Sequence, residues 1–289
     1  MQISGKTTIC GVIGDPIEHS LSPAMHNAAF QLLELDFIYV AFTVTKGRLR
    51  DALIGAKNLN IKGLNVTMPH KNAVTKYLDE TESTARFVGA VNTILNDKGR
   101  LTGYNTDGLG ALNALNKNGI DLEGKKLVLL GAGGAGRAIA FHAVQEVEKL
   151  VILNRTAQKA KDLAELLRRR YGRKITGKSL SARILKRELE DVDILVNATS
   201  VGMQPDRDHS LIDPSWLRSG MCVMDIVYRP KETKLEKDAK SVGARVISGV
   251  EMLLYQGASS FQIWTGHPAP VKTMRRAVLN ELQRSSDHH

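Results

Sequence analysis

The sequence predicts an α/β protein of two domains, the second of them doubly wound, with C-terminal helices that return to the first. Three observations predict it. A glycine-rich run, Gly131-Ala132-Gly133-Gly134-Ala135-Gly136, stands between apolar Leu127-Val128-Leu129-Leu130 and a stretch of helical composition, Arg137 to Glu146. Short apolar runs alternate with helical segments on both sides of it, the pattern of βα units. Two further helical segments follow the last strand, although a doubly wound domain needs none there. At 289 residues the chain is long enough for two domains. We place the first at residues 1–107, completed by 250–289, and the second at 108–249.

The elements follow in order. Thr7 to Ile13 reads as a strand. Pro23 to Leu35 reads as a helix, with Ser22 as its N-cap and Pro23 at the first helical position. Phe37 to Val44 is a strand, Leu49 to Asn58 a helix, and Ile61 to Val66 a strand ended by Met68-Pro69. Val91 to Asn96 and Arg100 to Tyr104 flank Asp97-Lys98-Gly99, which reads as a hairpin turn. Asp107 is placed as the N-cap of a helix from Leu109 onward. After the glycine run come strands at Leu150–Leu153, Asp193–Asn197, Cys222–Ile226 and Arg245–Ile247. Met252 to Trp264 and Val271 to Leu282 are helical.

A glycine run between a strand and a helix is the context of a dinucleotide fingerprint, so the second domain is Rossmann-like. Gly131 permits the tight turn, Gly133 lets backbone approach a pyrophosphate, and Gly136 lets helix and strand pack closely. The helix N-terminus then offers free N–H groups to phosphate. The next strand ends at Asn154-Arg155-Thr156, about 20 residues on, where the ribose-reading residue belongs. A carboxylate there would select NAD. Arg155 instead suits a 2′-phosphate, which a guanidinium pairs with bidentately, so NADP (NADPH) is the expected cofactor.

Bulk properties narrow the class. Hydrophobic residues make up 43% of the chain, enough for real cores. No run approaches 18 apolar residues and no secretory signal is visible, so a cytoplasmic setting without membrane is expected. Cys10 and Cys222 are far apart and read as buried free thiols of a reducing compartment. The net charge of +10 raises the question of nucleic acid. From Arg155 to Arg187, twelve Lys or Arg oppose only Asp162 and Glu165. One aromatic, Tyr171, lies among them and no nucleic-acid motif is present. This is read as a solvated face that draws in an anionic cofactor, with no nucleic-acid partner.

The polar residues at strand ends carry the chemistry. Gly14-Asp15-Pro16-Ile17-Glu18-His19-Ser20-Leu21-Ser22-Pro23 puts two hydroxyls, Ser20 and Ser22, at a helix start, where a carboxylate is favoured. Asn65-Val66-Thr67-Met68-Pro69-His70-Lys71 follows a strand's end, and ligands of open parallel sheets bind beyond such ends. Asn and Thr suit a polyol, and Lys71 can move a proton. Asn92 and Asp107 lie at strand edges. Asn197-Ala198-Thr199 ends a strand of the second domain. His19 and His70 lack metal-ligand spacing, so no metal is expected.

Taken together, these segments resemble the shikimate dehydrogenase family. The stretches that carry the resemblance are Ser20-Leu-Ser-Pro23, Asn65 to Lys71, Gly89-Ala-Val-Asn92-Thr93, Asn105-Thr-Asp107-Gly108, the glycine loop, Asn154-Arg-Thr156, Asn197 to Met203, Asp225-Ile-Val-Tyr228-Arg-Pro230-Lys-Glu-Thr233, and Gly249-Val-Glu-Met252 with Gln256-Gly-Ala258. The resemblance implies NADPH-dependent reduction of 3-dehydroshikimate to shikimate, a step toward chorismate and the aromatic amino acids. It implies that Ser20 and Ser22 hold the substrate carboxylate, and that Asn65, Thr67, Asn92 and Gln256 hold ring hydroxyls. Lys71 and Asp107 would form the catalytic pair, and Tyr228 would close over the substrate. Gly131 to Gly136, Asn154, Arg155, Thr156, Thr199, Ile226, Gly249 and Met252 would hold the cofactor. Two alternatives stay open: a quinate/shikimate dehydrogenase of broader specificity, and a non-catalytic NADP-binding regulatory module. A homodimer is an open assembly. No role is assigned to the closing Asp287-His288-His289.

Overall fold

The computed structural model describes residues 3–203 and 206–286; Asp287-His288-His289 lies outside them. Two compact units emerge. One holds the described residues through Thr106 and those from Leu254 on, and the other is Asp107–Leu253.

The first unit opens with β1 (Thr8–Gly14), α1 (Ser22–Leu32), β2 (Phe37–Thr43), α2 (Leu49–Asn58) and β3 (Gly63–Val66). It continues with β4 (Glu80–Thr81), α3 (Ser83–Val88), β5 (Thr93–Asp97) and β6 (Arg100–Tyr104). The sheet order is β2-β1-β3-β5-β6-β4. β1 runs parallel to both β2 and β3, while β5 lies antiparallel to β3 and β6. Asp97 pairs with Arg100 across a turn whose two central residues, Lys98 and Gly99, have φ of 51° and 88°. That matches the twist of the flanking strands and bears out the expected hairpin. Leu53, Leu64, Val66, Val74, Ile94 and Leu101 form a core here.

The second unit comprises α4 (Asp107–Lys117), β7 (Lys126–Leu130), α5 (Gly134–Glu146), β8 (Lys149–Asn154), α6 (Ala157–Tyr171), β9 (Lys174–Ser179), α7 (Ala182–Leu189), β10 (Ile194–Asn197), β11 (Cys222–Asp225), α8 (Lys234–Ser241) and β12 (Arg245–Ile247). It ends inside α9 (Gly249–Thr265), and α10 (Val271–Ser286) completes the chain's helices. Six parallel strands stand in the order β12-β11-β10-β7-β8-β9. From β7 the chain winds outward through β8 and β9, then returns to β10 on β7's other side. The switch point therefore lies between β7 and β10, where doubly wound sheets bind ligands. β7 is buried along its whole length, as a strand covered by helices on both faces should be.

The C-terminal helices complete the first unit as expected. α10 packs along α1. Trp264 of α9 fills the space that Gly63 leaves open, and its indole Nε1 donates to the Ile94 carbonyl at 2.9 Å.

Three expectations need correction. Ser22 is not the N-cap of α1; Leu21 takes that place and Ser22 is the first helical residue, with no side-chain capping bond. Pro23 favours the first turn, so the helix starts one residue earlier than the hydroxyl suggested. Asp107 likewise is the first residue of α4 rather than a cap outside it. The basic stretch holds an element the sequence did not reveal, β9, which pairs with β8 at the sheet's edge. Its alternation was hidden by lysines and a glycine. The arginines Arg168, Arg169 and Arg170 are exposed, as a solvated face requires.

His26 of α1 is fully buried, stacked on Tyr39 with ring centroids 4.4 Å apart. Among the described residues neither ring nitrogen has a hydrogen-bond partner, and burial pushes its pKa down to about 3. Below its ordinary value of about 6.5 the unfolded chain takes up a proton that the native state refuses. Stability from this group is thus present above pH 6.5 and lost as pH falls toward 3. Between pH 7 and pH 5 the loss is about 2 kcal/mol. Denaturant titrations at both pH values should show His26→Phe losing about that much less than the parent protein.

Candidate active site

Each unit carries a polar site at the carboxyl ends of its strands. In the first, the loop after β1 and the loop after β3 are bonded directly to each other. The Asp15 amide donates to the Met68 carbonyl at 3.0 Å, and the Thr67 amide to the Ile13 carbonyl at 3.0 Å. Gly14 has no side chain, which admits the Thr67 methyl. Thr67 and Lys71 are half-buried on this edge, and Ser20 sits on the neighbouring loop with its hydroxyl accepting from the Ser22 amide at 3.3 Å.

Behind this edge runs a continuous hydrogen-bond web. The Tyr39 phenol donates to Asn65 Oδ1 at 2.7 Å. Asn65 Nδ2 faces the Asn92 carbonyl, Thr93 Oγ1 and Ser260 Oγ at 3.0 to 3.1 Å. Asn92 Nδ2 donates to Thr106 Oγ1 at 2.9 Å and to Gln256 Oε1 at 3.2 Å, while its Oδ1 accepts the Thr106 amide at 2.8 Å. Tyr39, Asn65, Asn92 and Gln256 are therefore joined within one buried network, as polar groups out of water must be. Asn65 is 6% exposed and its amide bonds to these protein groups. The sequence reading missed Tyr39, Thr93, Thr106 and Ser260 as members. Ser260 was within reach of inference, since it stands four residues after Gln256 on one helix and so shares its face. Tyr39 gave no signal beyond being a polar-tipped residue in an apolar strand.

His70 is buried, and its Nε2 donates to the Val44 carbonyl at 2.6 Å. The buried thiols of Cys10 and Cys222 are both pushed up to about 12 by desolvation, which makes them poor nucleophiles.

In the second unit the glycine loop follows β7. Gly131 has φ of 102°, and a Cβ there would stand 2.8 Å from the Ala198 carbonyl. A Cβ on Gly136 would collide with the Gly131 carbonyl oxygen. Gly133, the N-cap of α5, faces open space and makes no side-chain cap, so the first N–H groups of α5 are presented outward. A cradle that side chains would fill is what a pyrophosphate requires, and the loop fits one. Asn154 Oδ1 accepts the Ala132 amide at 3.1 Å and its Nδ2 donates to the Thr156 carbonyl at 3.0 Å. Asn154 thus staples the glycine loop to the end of β8, where Arg155 is exposed and Thr156 is the N-cap of α6. Across the switch point, Thr199 donates its amide and hydroxyl to Asn197 Oδ1 at 3.1 and 2.7 Å. Ile226 follows β11, and Gly249 opens α9 against the Ile226 and Val227 carbonyls, with Met252 buried one turn on.

A doubly wound parallel sheet with a glycine cradle at its switch point and an arginine at the end of the next strand defines a dinucleotide-binding protein of the NADP type. Comparison narrows this class. Residues 12–94 match the model of the shikimate dehydrogenase substrate binding domain, 113–225 that of shikimate/quinate 5-dehydrogenase, and 249–279 that of the shikimate 5′-dehydrogenase C-terminal domain. The chain belongs to the shikimate dehydrogenase family. The shikimate dehydrogenase (NADP(+)) of Methanopyrus kandleri is 46% identical over 286 residues, covering 98% of this chain and 99% of that one. A shikimate dehydrogenase solved in complex with NADP+ superposes with a TM-score of 0.91 at 43% identity, covering 97% and 98%. The Thermus thermophilus enzyme, solved in complex with NADP(H) and shikimate, gives 0.85 at 37% identity, covering 95% and 99%.

Proposed function

We propose that this chain is an NADP-dependent shikimate dehydrogenase, reversibly reducing 3-dehydroshikimate to shikimate. Membership of the family over nearly the whole chain supports the reaction. The observation that carries the substrate assignment is the web in the first unit: a hydroxyl pair beside a Thr and Lys edge, backed by hydrogen-bonded Asn92 and Gln256. Such an edge offers donors for a carboxylate and paired donor-acceptors for ring hydroxyls.

When bound, the nicotinamide supplies or takes the hydride, and the protein supplies position and a proton. Ser20 and Ser22 hold the carboxylate. Asn65, Thr67, Asn92 and Gln256 hold ring hydroxyls, with Thr93, Thr106 and Ser260 bonded behind them. Charge that develops on the carbonyl oxygen is met by protonated Lys71, which delivers the proton. The family resemblance implies that Asp107 is the lysine's catalytic partner and that Tyr228 covers the substrate. Gly131 to Gly136 seat the pyrophosphate, and Arg155 pairs with the 2′-phosphate. In the described residues no helix is long and apolar enough to cross a membrane, and the two unreactive thiols suit a cytoplasmic setting.

Absorbance at 340 nm tests the reading, with shikimate and quinate each supplied with NADP+ and NAD+. Turnover fastest with shikimate and NADP+ is expected; preference for quinate would reject it. Ser20→Ala should raise the KM for shikimate about tenfold, the scale of one bond to a charged group, with the KM for NADP+ unchanged. Because Ser22 does not cap α1, Ser22→Ala can be read the same way, and a melting curve checks that the helix survives.

A further inference from the structure

Three polar residues of the family motifs, Asn197, Asp225 and Thr233, are among those with no assigned duty. The structure gathers them at the ends of β10 and β11. Asp225 is fully buried. Its Oδ1 accepts Asn197 Nδ2 at 3.0 Å and the Val227 amide at 3.1 Å, and its Oδ2 accepts the Thr233 hydroxyl at 2.8 Å. Asn197 in turn spends its Oδ1 on the amide and hydroxyl of Thr199. Thr233 is the N-cap of α8, in a capping box with Glu236. One carboxylate therefore ties together the loop that carries Thr199, the loop that carries Ile226 and the start of α8.

A buried carboxylate is costly, and hydrophobic burial of the same volume would pack the sheet end at less expense. Burial raises Asp225 only to about 6, because three donors hold its charged form. At neutral pH it remains an acceptor. The tied loops lie on the β10 and β11 side of the switch point. Arg155, at the end of β8, lies on the other side. A dinucleotide whose 2′-phosphate is read at β8 must extend its nicotinamide half over β10 and β11.

We propose that Asp225 is a positioning residue for the nicotinamide half of the cofactor: through Asn197 it sets Thr199, and through the Val227 amide it sets Ile226. It touches neither the cofactor nor the substrate. This rests on the NADP-site reading above, and the fragment 2′,5′-ADP separates the two claims. That fragment carries the 2′-phosphate and adenosine but no nicotinamide.

Calorimetric titration of the full chain gives the decisive ratio. Asp225→Ala should weaken NADP+ about tenfold while 2′,5′-ADP stays within twofold. Asp225→Asn can still accept from Asn197 and Val227, and should recover most of the NADP+ affinity. That recovery distinguishes acceptance at Oδ1 from the packing of the side chain. If Asp225→Ala does not fold, Asn197→Ala leaves Asp225 bonded to Val227 and Thr233 and should give the same split. Parallel weakening of both ligands, or NADP+ affinity unchanged in the variant that folds, would overturn the proposal. An error in the site reading shows separately, as 2′,5′-ADP binding that Arg155→Ala leaves unaltered, and would overturn both.

Discussion

Lys71→Ala is expected to lower kcat by about 10²–10⁴-fold, the usual contribution of one general acid–base group. Lys71 stands on the edge after β3, half-buried, with its carbonyl accepting the Val91 amide at 2.8 Å. Its backbone is thus fixed by the sheet and only the side chain is lost on substitution. Melting temperature and the Kd for NADP+ should stay near those of the parent protein. Affinity for shikimate falls modestly, since an ammonium also bonds a hydroxyl. Asp107→Asn should act in the same direction, because it removes the carboxylate proposed as the lysine's catalytic partner. If the two act as a unit, the double variant is little worse than the worse single one. Stopped-flow absorbance at 340 nm under single-turnover conditions isolates the chemical step. A normal rate in Lys71→Ala would remove this lysine from the mechanism.

The second large effect falls on cofactor choice. Arg155→Ala should weaken NADP+ about 30-fold, the scale of a lost charge-assisted contact, and NAD+ by less than threefold. Arg155 is exposed and no ion pair in the described residues engages it within its own loop, so its substitution leaves the fold intact. Its backbone position is held independently by the Asn154 staple to Ala132 and Thr156. The preference for NADP+ over NAD+ should therefore collapse without loss of the glycine loop's grip on the pyrophosphate. Titrations with the two cofactors measure this directly, and equal losses for both would reject the assignment.

The sequence was most legible where a residue type has one structural use. Gly131 and Gly136 do what their spacing predicted, one through a positive φ and the other through contact that a Cβ would forbid. The hairpin at Lys98-Gly99 was legible for the same reason. Legibility failed where the deciding contact is distant in the chain. Tyr39 of β2 and Asn65 of β3 meet across the β1 between them, and Ser260 reaches Asn65 across 195 residues. No local pattern announces such a web. The end of β8 shows a third case: its sequence pointed to Arg155, but the use of Asn154 as a staple shows only in the fold. Ser22 shows the opposite hazard, a strong local preference for capping that the proline beside it displaced.

The first unit is assembled from two stretches of chain separated by the whole of the second. On the ribosome its residues through Thr106 precede the second unit, yet the indole that fills the space above Gly63 belongs to Trp264 and arrives after that unit is made. The second unit is contiguous, with every strand of its sheet already synthesised by Ile247. The nucleotide-binding half should therefore acquire protease resistance on a nascent chain while the half with the serine pair remains cleavable. Arrested chains ending near residue 250 would retain 2′,5′-ADP but not shikimate, and the order of folding would be the reverse of the order of the units' first residues.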